Sequence, residues 1–176
     1  REPTHQQLQW IAGSADLKTV FISHRNNLGN VTPPADQAMY EASLRKTLQL
    51  LTERRKKVVY LLAVAEARTN PRLCVGSTPM GRTIDRSQCS FPASRELKAH
   101  EVYRALVARV MKDFPMVEVV DPIPWQCPGG QCTVSTETQV LWSDDNHLSE
   151  SGSHVQGRAL AAHFSDPSRL PPPSKP

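Results

Sequence analysis

Short apolar runs alternate along the chain with longer segments that have helical features. Three runs have the length and the Val-rich or Leu-rich composition of buried strands; they are residues 19–22, 58–65 and 117–120. Four segments are predicted as helices, either from apolar residues at three- and four-residue spacing or from the residues that begin and end them; they are residues 5–12, 33–55, 94–114 and 149–164. The predicted order is helix, strand, helix, strand, helix, strand, helix.

This alternation predicts an α/β fold of three layers, α/β/α. Apolar strands that alternate with amphipathic helices indicate a parallel sheet with helices on both faces. In such folds ligand sites gather at the carboxyl ends of the strands. The segments expected there are residues 23–27, the loop after Ala65 and the loop after Asp121. The loop of residues 66–93 is long for a compact domain, and such loops are often functional.

The composition narrows the class of protein. The chain has 176 residues, 39% of them hydrophobic and 22% charged, which is typical of a globular domain and excludes a disordered or fibrous chain. We expect one domain over residues 1–166 and a Pro-rich tail over residues 167–176. The longest apolar run is far shorter than a membrane span. No segment has the layout of a signal peptide, so either none is needed or it lies outside this sequence.

The charge is modest and does not indicate a nucleic-acid partner. The net charge is +4, from 21 Lys and Arg against 17 Asp and Glu. The basic cluster of residues 54–57 lies at the predicted end of a helix, where cations are favourable, and we interpret it as a solvated helix end. Four arginines of the long loop either bind an anionic glycan or keep the loop soluble; they are Arg68, Arg72, Arg82 and Arg86.

The four cysteines form two local pairs, Cys74 with Cys89 and Cys127 with Cys132, in segments rich in Pro, Gly and Ser. Disulfides in such positions restrain loops that little else holds, and they form in oxidising compartments. No C-x-x-C pattern occurs, which disfavours a zinc site; free buried thiols are the other alternative. We predict two disulfides and a location outside the cytosol.

The segment with the clearest chemistry lies just before the last predicted helix. Asp144 precedes His147 by three residues, so the carboxylate can turn back and hold the imidazole. A carboxylate that orients a histidine fixes its tautomer, as a general base requires. Taken alone, the pair is also compatible with an ordinary loop in which the acidic residue begins a helix.

The longer pattern, Asp144, His147, Leu148, Ser149 and Gly152, resembles the last sequence block of the SGNH hydrolases, D-x-x-H-L-S-x-x-G. It is especially similar to the periplasmic SGNH domains attached to acyltransferase-3 membrane proteins. Further segments resemble that family in the same order; they are residues 19–26, 58–65, 119–122 and 127–132. The resemblance extends from about residue 5 to residue 164 and implies an SGNH-type, flavodoxin-like fold.

The resemblance also implies roles for individual residues. His147 would be the general base and Asp144 its orienting carboxylate. Asn26 falls where the family places an oxyanion-hole donor, but the glycine that the wider superfamily has two residues earlier is here His24. Arg25 is therefore a rival anion stabiliser, and Asn26 can equally be a turn residue.

The nucleophile block of the family is missing from this sequence. That block reads Gly-Asp-Ser, and the nearest imitation is Gly13-Ser14, followed too closely by the next strand to leave room for a helix that would aim the serine. Ser149 and Ser153 fit a capping role better. The resemblance implies a chain that lacks the first strand, either as a piece of a longer domain or as a member that lost its serine.

The function implied is that of a periplasmic serine O-acyltransferase or esterase that acts on acyl esters, such as acetyl esters, of envelope glycans like lipopolysaccharide or peptidoglycan. No metal or organic cofactor is implied. The expected partners are a carbohydrate substrate and an acyl donor, delivered by a membrane domain of the same protein that also tethers it to the inner membrane. The alternatives are a non-catalytic glycan-binding or docking module of the same fold, and an unrelated binding domain in which Asp144 and His147 are incidental.

Other aromatic residues and histidines are assigned simpler roles. Trp10 is expected in the core, whereas Trp125 and Trp142 are candidates to line a site near the end of the third strand. Three isolated histidines on predicted helices are expected to be solvated or packed side chains; they are His100, His154 and His163.

Overall fold

The computed structural model describes residues 2–25, 33–74, 89–136 and 139–165. The elements are α1 (Glu2–Gly13), β1 (Thr19–Ser23), α2 (Pro34–Glu53), β2 (Lys57–Leu61), β3 (Ser90–Pro92), α3 (Ala93–Ala99), α4 (Glu101–Met111), β4 (Glu118–Val120), α5 (Ile123–Gln126), β5 (Gln131–Thr133) and α6 (Glu150–Ser165). Single 3₁₀ turns lie at Pro71–Cys74 and Pro128–Gly130. None of the described helices combines the length and apolar character that crossing a bilayer requires.

The chain divides into two compact units, each with its own core. The first unit combines the chain up to Val64 with Arg95–Pro122, and the second combines Ala65–Ser94 with the chain from Ile123 onwards. The predicted tail of residues 167–176 lies outside the described residues.

The first unit contains a parallel sheet of three strands in the order β1-β2-β4. Val20 pairs with Val58, and Tyr60 with Val119. Parallel neighbours need a crossover connection, which α2 provides between β1 and β2. The parallel α/β fold predicted from the alternating pattern is confirmed.

The predicted apolar stripes form the core of this unit. The helical stripe of α2 and that of α4 are buried, together with the inward side chains of β2; the buried members are Leu44, Leu48, Leu51, Val58, Tyr60, Tyr103, Leu106, Val107 and Val110. Pro34 in the first turn suits the start of α2, because its missing N–H would have no helical partner there.

Trp10 does not belong to this core, and its predicted packing is wrong. Its side chain is 68% exposed. Helix α1 turns Leu8, Ile11 and Ala12 towards the core instead. Those three residues lie at three- and four-residue spacing, so Trp10, between them in sequence, points away.

Two predicted boundaries are also corrected. The strand predicted to reach Ala65 ends at Leu61. The N–H of Leu62 still donates to the carbonyl of Val120 (2.9 Å), whereas the N–H of Ala65 donates to the side-chain Oε1 of Gln126 (2.8 Å) rather than to a strand. The single helix predicted over residues 94–114 is two helices, α3 and α4, that meet at His100. The His100 backbone still donates to Glu96 and accepts from Arg104, both at 2.8 Å, so the interruption is a local change of direction.

The second unit is built around both predicted disulfides, which are confirmed. Cys74 joins Cys89 with 5.5 Å between Cα atoms, and Cys127 joins Cys132 with 3.9 Å. Strands β3 and β5 form a small antiparallel sheet that pairs Phe91 with Cys132. The sequence pattern does not predict this sheet, because strands of three residues are too short to show an alternation.

Candidate functional site

The loop that carries Asp144 and His147 is closed by backbone hydrogen bonds at its base. Trp142 and Leu148 form an antiparallel bridge across it. The N–H of Ser143 donates to the carbonyl of His147 (2.9 Å), and the N–H of Ser149 donates to the carbonyl of Leu141 (3.0 Å). The loop is therefore a short hairpin whose tip presents the acidic residues and the histidine.

Asp144 organises the tip of this hairpin. Its Oδ1 accepts from the backbone N–H groups of Asn146 (2.9 Å) and His147 (2.7 Å). Its Oδ2 lies 2.8 Å from Nδ1 of His147. The sequence interval of three residues is what permits this, because a turn that starts at an aspartate brings the next backbone N–H groups under its own carboxylate.

The hydrogen bonds keep Asp144 ionised. The N–H of Asn146, then the N–H and the ring of His147, lower the pKa of Asp144 to about 2. An ionised carboxylate only accepts hydrogen bonds, so Nδ1 of His147 is the donor. Neutral His147 then carries its proton on Nδ1 and has a free lone pair on Nε2, which is the form that takes a proton.

The helix that follows is locked onto the hairpin by Ser149 and Gly152. The Ser149 hydroxyl accepts from the N–H of Gly152 (3.0 Å) and donates to the carbonyl of Val140. Ser149 is thus the N-cap of α6. A Cβ atom on Gly152 would lie 2.0 Å from the carbonyl oxygen of Leu141, so only glycine allows this approach. The Leu-Ser-x-x-Gly part of the motif therefore positions the hairpin on its helix.

The hairpin is also held from the side of the long loop. The N–H of Arg68, whose backbone has φ of 54°, donates to the carbonyl of Asp145 (2.8 Å). The carboxylate of Asp145 accepts from the side-chain amide of Asn146 (2.8 Å). Of the four loop arginines, Arg68 contacts the hairpin through its backbone, whereas Arg82 and Arg86 lie outside the described residues.

Of the two predicted oxyanion residues, Arg25 belongs to the first unit and is exposed just after β1. Asn26 lies outside the described residues. The structure thus brings Asp144 and His147 together and leaves the role of Arg25 and Asn26 a prediction. In the described part of the chain, no side chain hydrogen bonds to Nε2 of His147, and the His147 side chain is 71% exposed.

A row of aromatic residues near the end of β1 was missed at the sequence level. The ring of His24 lies 5.6 Å from that of Tyr40 and 6.4 Å from that of Tyr60, and burial lowers the pKa of His24. The hydroxyls of Tyr40 and Tyr60 are 2.9 Å apart, and those of Tyr60 and Tyr103 are 3.1 Å apart. In the sequence, only the polar residues after β1 indicate that side chains could gather there. The three tyrosines come from distant segments, so their contact depends on how the elements pack.

Comparison with known proteins identifies the family and the fold of the chain. A family model described as "SGNH domain (fused to AT3 domains)" matches residues 2–162. Among solved structures, the periplasmic domain of the lipopolysaccharide acetyltransferase of Salmonella ser. Paratyphi A has a similar fold, with a TM-score of 0.61 at 11% sequence identity. The similarity covers 91% of this chain and 61% of that domain. No curated protein sequence matches the chain. Because this family model matches most of the chain, the chain belongs to the family of SGNH domains that is described as fused to AT3 domains.

Proposed function

We propose that this domain takes part in O-acyl transfer on a cell-envelope glycan, with His147 as the general base. The observation that carries the proposal is the hydrogen bond between the ionised Asp144 carboxylate and Nδ1 of His147. It leaves Nε2 as the basic atom on an exposed ring. Asp144 acts as a positioning residue, because it holds the tautomer and stabilises the imidazolium that forms.

The proposed reaction has two acyl transfers. A serine hydroxyl attacks the carbonyl carbon of the donor ester, and its proton goes to Nε2 of His147. The donor alkoxide leaves with that proton, and the acyl group stays on the serine as an ester. A sugar hydroxyl, or water, then loses its proton to Nε2 and attacks the acyl-serine. The serine oxygen leaves, takes that proton back from Nε2, and the acylated sugar or the free acid is released.

The serine is the part that this sequence does not provide in a Gly-Asp-Ser block. We propose that a further parallel strand, which carries it, pairs with β1. Strand β1 is at an edge of the described sheet, and its Phe21 is 49% exposed. Arg25 and Asn26, which follow β1 directly, are the proposed oxyanion stabilisers.

The proposed partners follow from the family and its structural relative. A family described as fused to AT3 domains supports a membrane acyltransferase domain as the source of the acyl group. The periplasmic lipopolysaccharide acetyltransferase domain supports a periplasmic location and an envelope carbohydrate as substrate. Acetyl esters of lipopolysaccharide or peptidoglycan sugars are the proposed substrates. The two disulfides fit an oxidising compartment.

The test is acyl transfer by the full-length protein that contains this domain. His147→Ala is expected to lower transfer by about 10²–10⁴-fold, the usual contribution of a general base. His154→Ala is the matched control, because His154 is a 69% exposed histidine of α6 outside the hairpin, and it should leave transfer unchanged. Equal transfer by His147→Ala and the wild type would refute the role of His147.

The second candidate is a non-catalytic glycan-binding or docking module. The observation in its favour is that no serine hydroxyl in the described residues reaches Nε2 of His147. A fluorophosphonate probe on the full-length protein separates the two functions, because it labels a serine activated by His147 and leaves a binding module unlabelled.

A further inference from the structure

A cavity of about 180 Å³ lies in the second unit, beside the hairpin rather than at its tip. Its walls come from α5, the β5 region, the hairpin and α6, and they include Trp125, Gln126, Thr133, Trp142, Leu148 and Gln156. Pro128 and Thr136 also line the cavity and are exposed, so it reaches the surface.

Two residues in the wall carry buried hydrogen-bond donors without an acceptor. Nε1 of Trp142 and Nε2 of Gln126 have no partner among the described residues. Trp142 is only 1% exposed, and the other end of the Gln126 amide is already used by the N–H of Ala65. Buried N–H groups are almost always paired in folded proteins, because losing water without gaining an acceptor is unfavourable. Both residues line the cavity, so a ligand that shifts either side chain slightly and brings an acceptor oxygen would pair a donor that the described residues leave unpaired.

The residues that line the cavity determine which class of ligand can bind there. Among the described residues that line the cavity there is no Asp, Glu, Lys, Arg or His, so these residues would not compensate a charged ligand for its lost hydration. The volume is slightly larger than a cavity of about 150 Å³ that accepts benzene, so one six-membered ring fits. The walls are mostly apolar, with indole and aliphatic surface, and the lining residues also include Thr133 and Gln156.

A sugar ring can contact both the apolar and the polar residues of this lining. The C–H face of a pyranose packs on indole, and its oxygens accept from N–H groups and donate to hydroxyl and amide oxygens. A short acyl chain has one or two acceptors and would leave the polar groups of Thr133 and Gln156 facing hydrocarbon. We propose that this cavity binds a single neutral pyranose unit of the glycan. The inference rests on the proposed function and names a site for its carbohydrate substrate.

The cavity and the catalytic pair share one structural element. Leu148, in the cavity wall, directly follows His147, and it bridges to Trp142 across the hairpin. A ring bound against Trp142 is therefore held by the same hairpin that carries the base, and Gly152 and Ser149 fix that hairpin on α6.

The test is a titration of the ¹⁵N-labelled chain, followed through the indole N–H signals. The three tryptophans give three signals, which Trp10→Phe and Trp125→Phe assign. Neutral methyl hexopyranosides should shift the Trp142 signal saturably, with a Kd of roughly 1–10 mM, the range in which a few weak contacts bind. Trp10, 68% exposed in the first unit, is the internal control and should not shift.

Two variants connect the shift to the cavity. Val155→Phe adds volume to a lining residue of α6 and should raise the Kd at least tenfold. Gln131→Ala changes an exposed glutamine of the same unit outside the lining and should leave the Kd unchanged. The inference is overturned if no pyranoside shifts the Trp142 signal, as when a buried water already accepts from it. It is also overturned if ethyl butyrate shifts the signal and pyranosides do not, because the cavity then takes the acyl group.

The binding result and the proposed function can fail separately. His147→Ala should keep the pyranoside shift while transfer is lost. If His147→Ala keeps acyl transfer, the proposed function is refuted. The shift of the Trp142 signal still shows whether the cavity binds a pyranose. If the Trp142 signal ignores pyranosides while His147→Ala abolishes transfer, only the cavity assignment fails.

Discussion

Replacing Asp144 by asparagine tests the link between the hairpin geometry and the base. The backbone N–H groups of Asn146 and His147 both point at Oδ1, at 2.9 and 2.7 Å. In Asp144→Asn only the amide oxygen can occupy that position, because an NH₂ group would face two donors. The NH₂ group must then occupy the position of Oδ2, 2.8 Å from Nδ1 of His147.

This arrangement reverses the tautomer of the histidine. The NH₂ group donates, so Nδ1 of His147 has to accept, and the proton of the neutral ring moves to Nε2. The base then has no lone pair where it is needed. In a serine protease triad the equivalent change lowers kcat by about 10⁴-fold. The Asp144 side chain is 50% exposed here, where solvent weakens the constraint, so we expect a loss of about 10²–10³-fold.

Acyl transfer by the full-length protein measures the loss, and the ¹⁵N shifts of the His147 ring report the tautomer. The fold should persist, because both backbone hydrogen bonds to residue 144 are kept. Asp145→Asn is the matched control: Asp145 is the adjacent carboxylate, bonded to the amide of Asn146, and its change should alter transfer less than about twofold. Transfer by Asp144→Asn within twofold of the wild type, or an unchanged Nδ1–H tautomer, would refute the reasoning.

Three further predictions concern the frame of the site. Gly152→Ala should destabilise the protein by about 1–3 kcal/mol, as overpacking does, because its Cβ would lie 2.0 Å from the Leu141 carbonyl oxygen. Gly157→Ala, in the same helix with nothing within 4 Å, should instead stabilise it by about 0.5–1 kcal/mol, and urea denaturation compares the two; a Gly152→Ala protein as stable as the wild type would contradict the predicted clash. The pKa of Asp144 lies below its ordinary value of 3.8, at about 2, so its carboxylate stabilises the folded hairpin above pH 4 and that contribution is lost as the pH falls from about 4 towards 2. The signals of Asn146 and His147 should follow this loss in an NMR titration, and signals constant down to pH 2 would oppose it. Reduction of the two disulfides should raise hydrogen exchange in residues 66–74, 89–93 and 121–132, since their loops lose a covalent restraint; exchange that does not respond to the reductant would mean that the disulfides are not structural.

The local sequence was sufficient to predict those features that depend only on residues close together in the chain. The strand at residues 19–22, the helix that begins at Pro34 and the cap at Ser149 follow from apolar spacing and from the residues at the ends of elements. The contact of Asp144 with His147 spans three residues and is decided within one turn. Both disulfides join cysteines of the same local segment, so their pairing was predictable as well.

The sequence alone determined an α/β chain with parallel strands, two loop disulfides and an aspartate that holds a histidine. The tertiary structure decided the features that depend on contacts between residues distant in sequence. It placed Trp10 outside the core, paired the N–H of Ala65 with the side chain of Gln126 rather than with a strand, and paired β3 with β5. It also brought Gln126 and Trp142 to one cavity with their donors unpaired. Periodicity along the chain records which side chains face inwards, whereas the partner that each one meets is selected only when the elements pack.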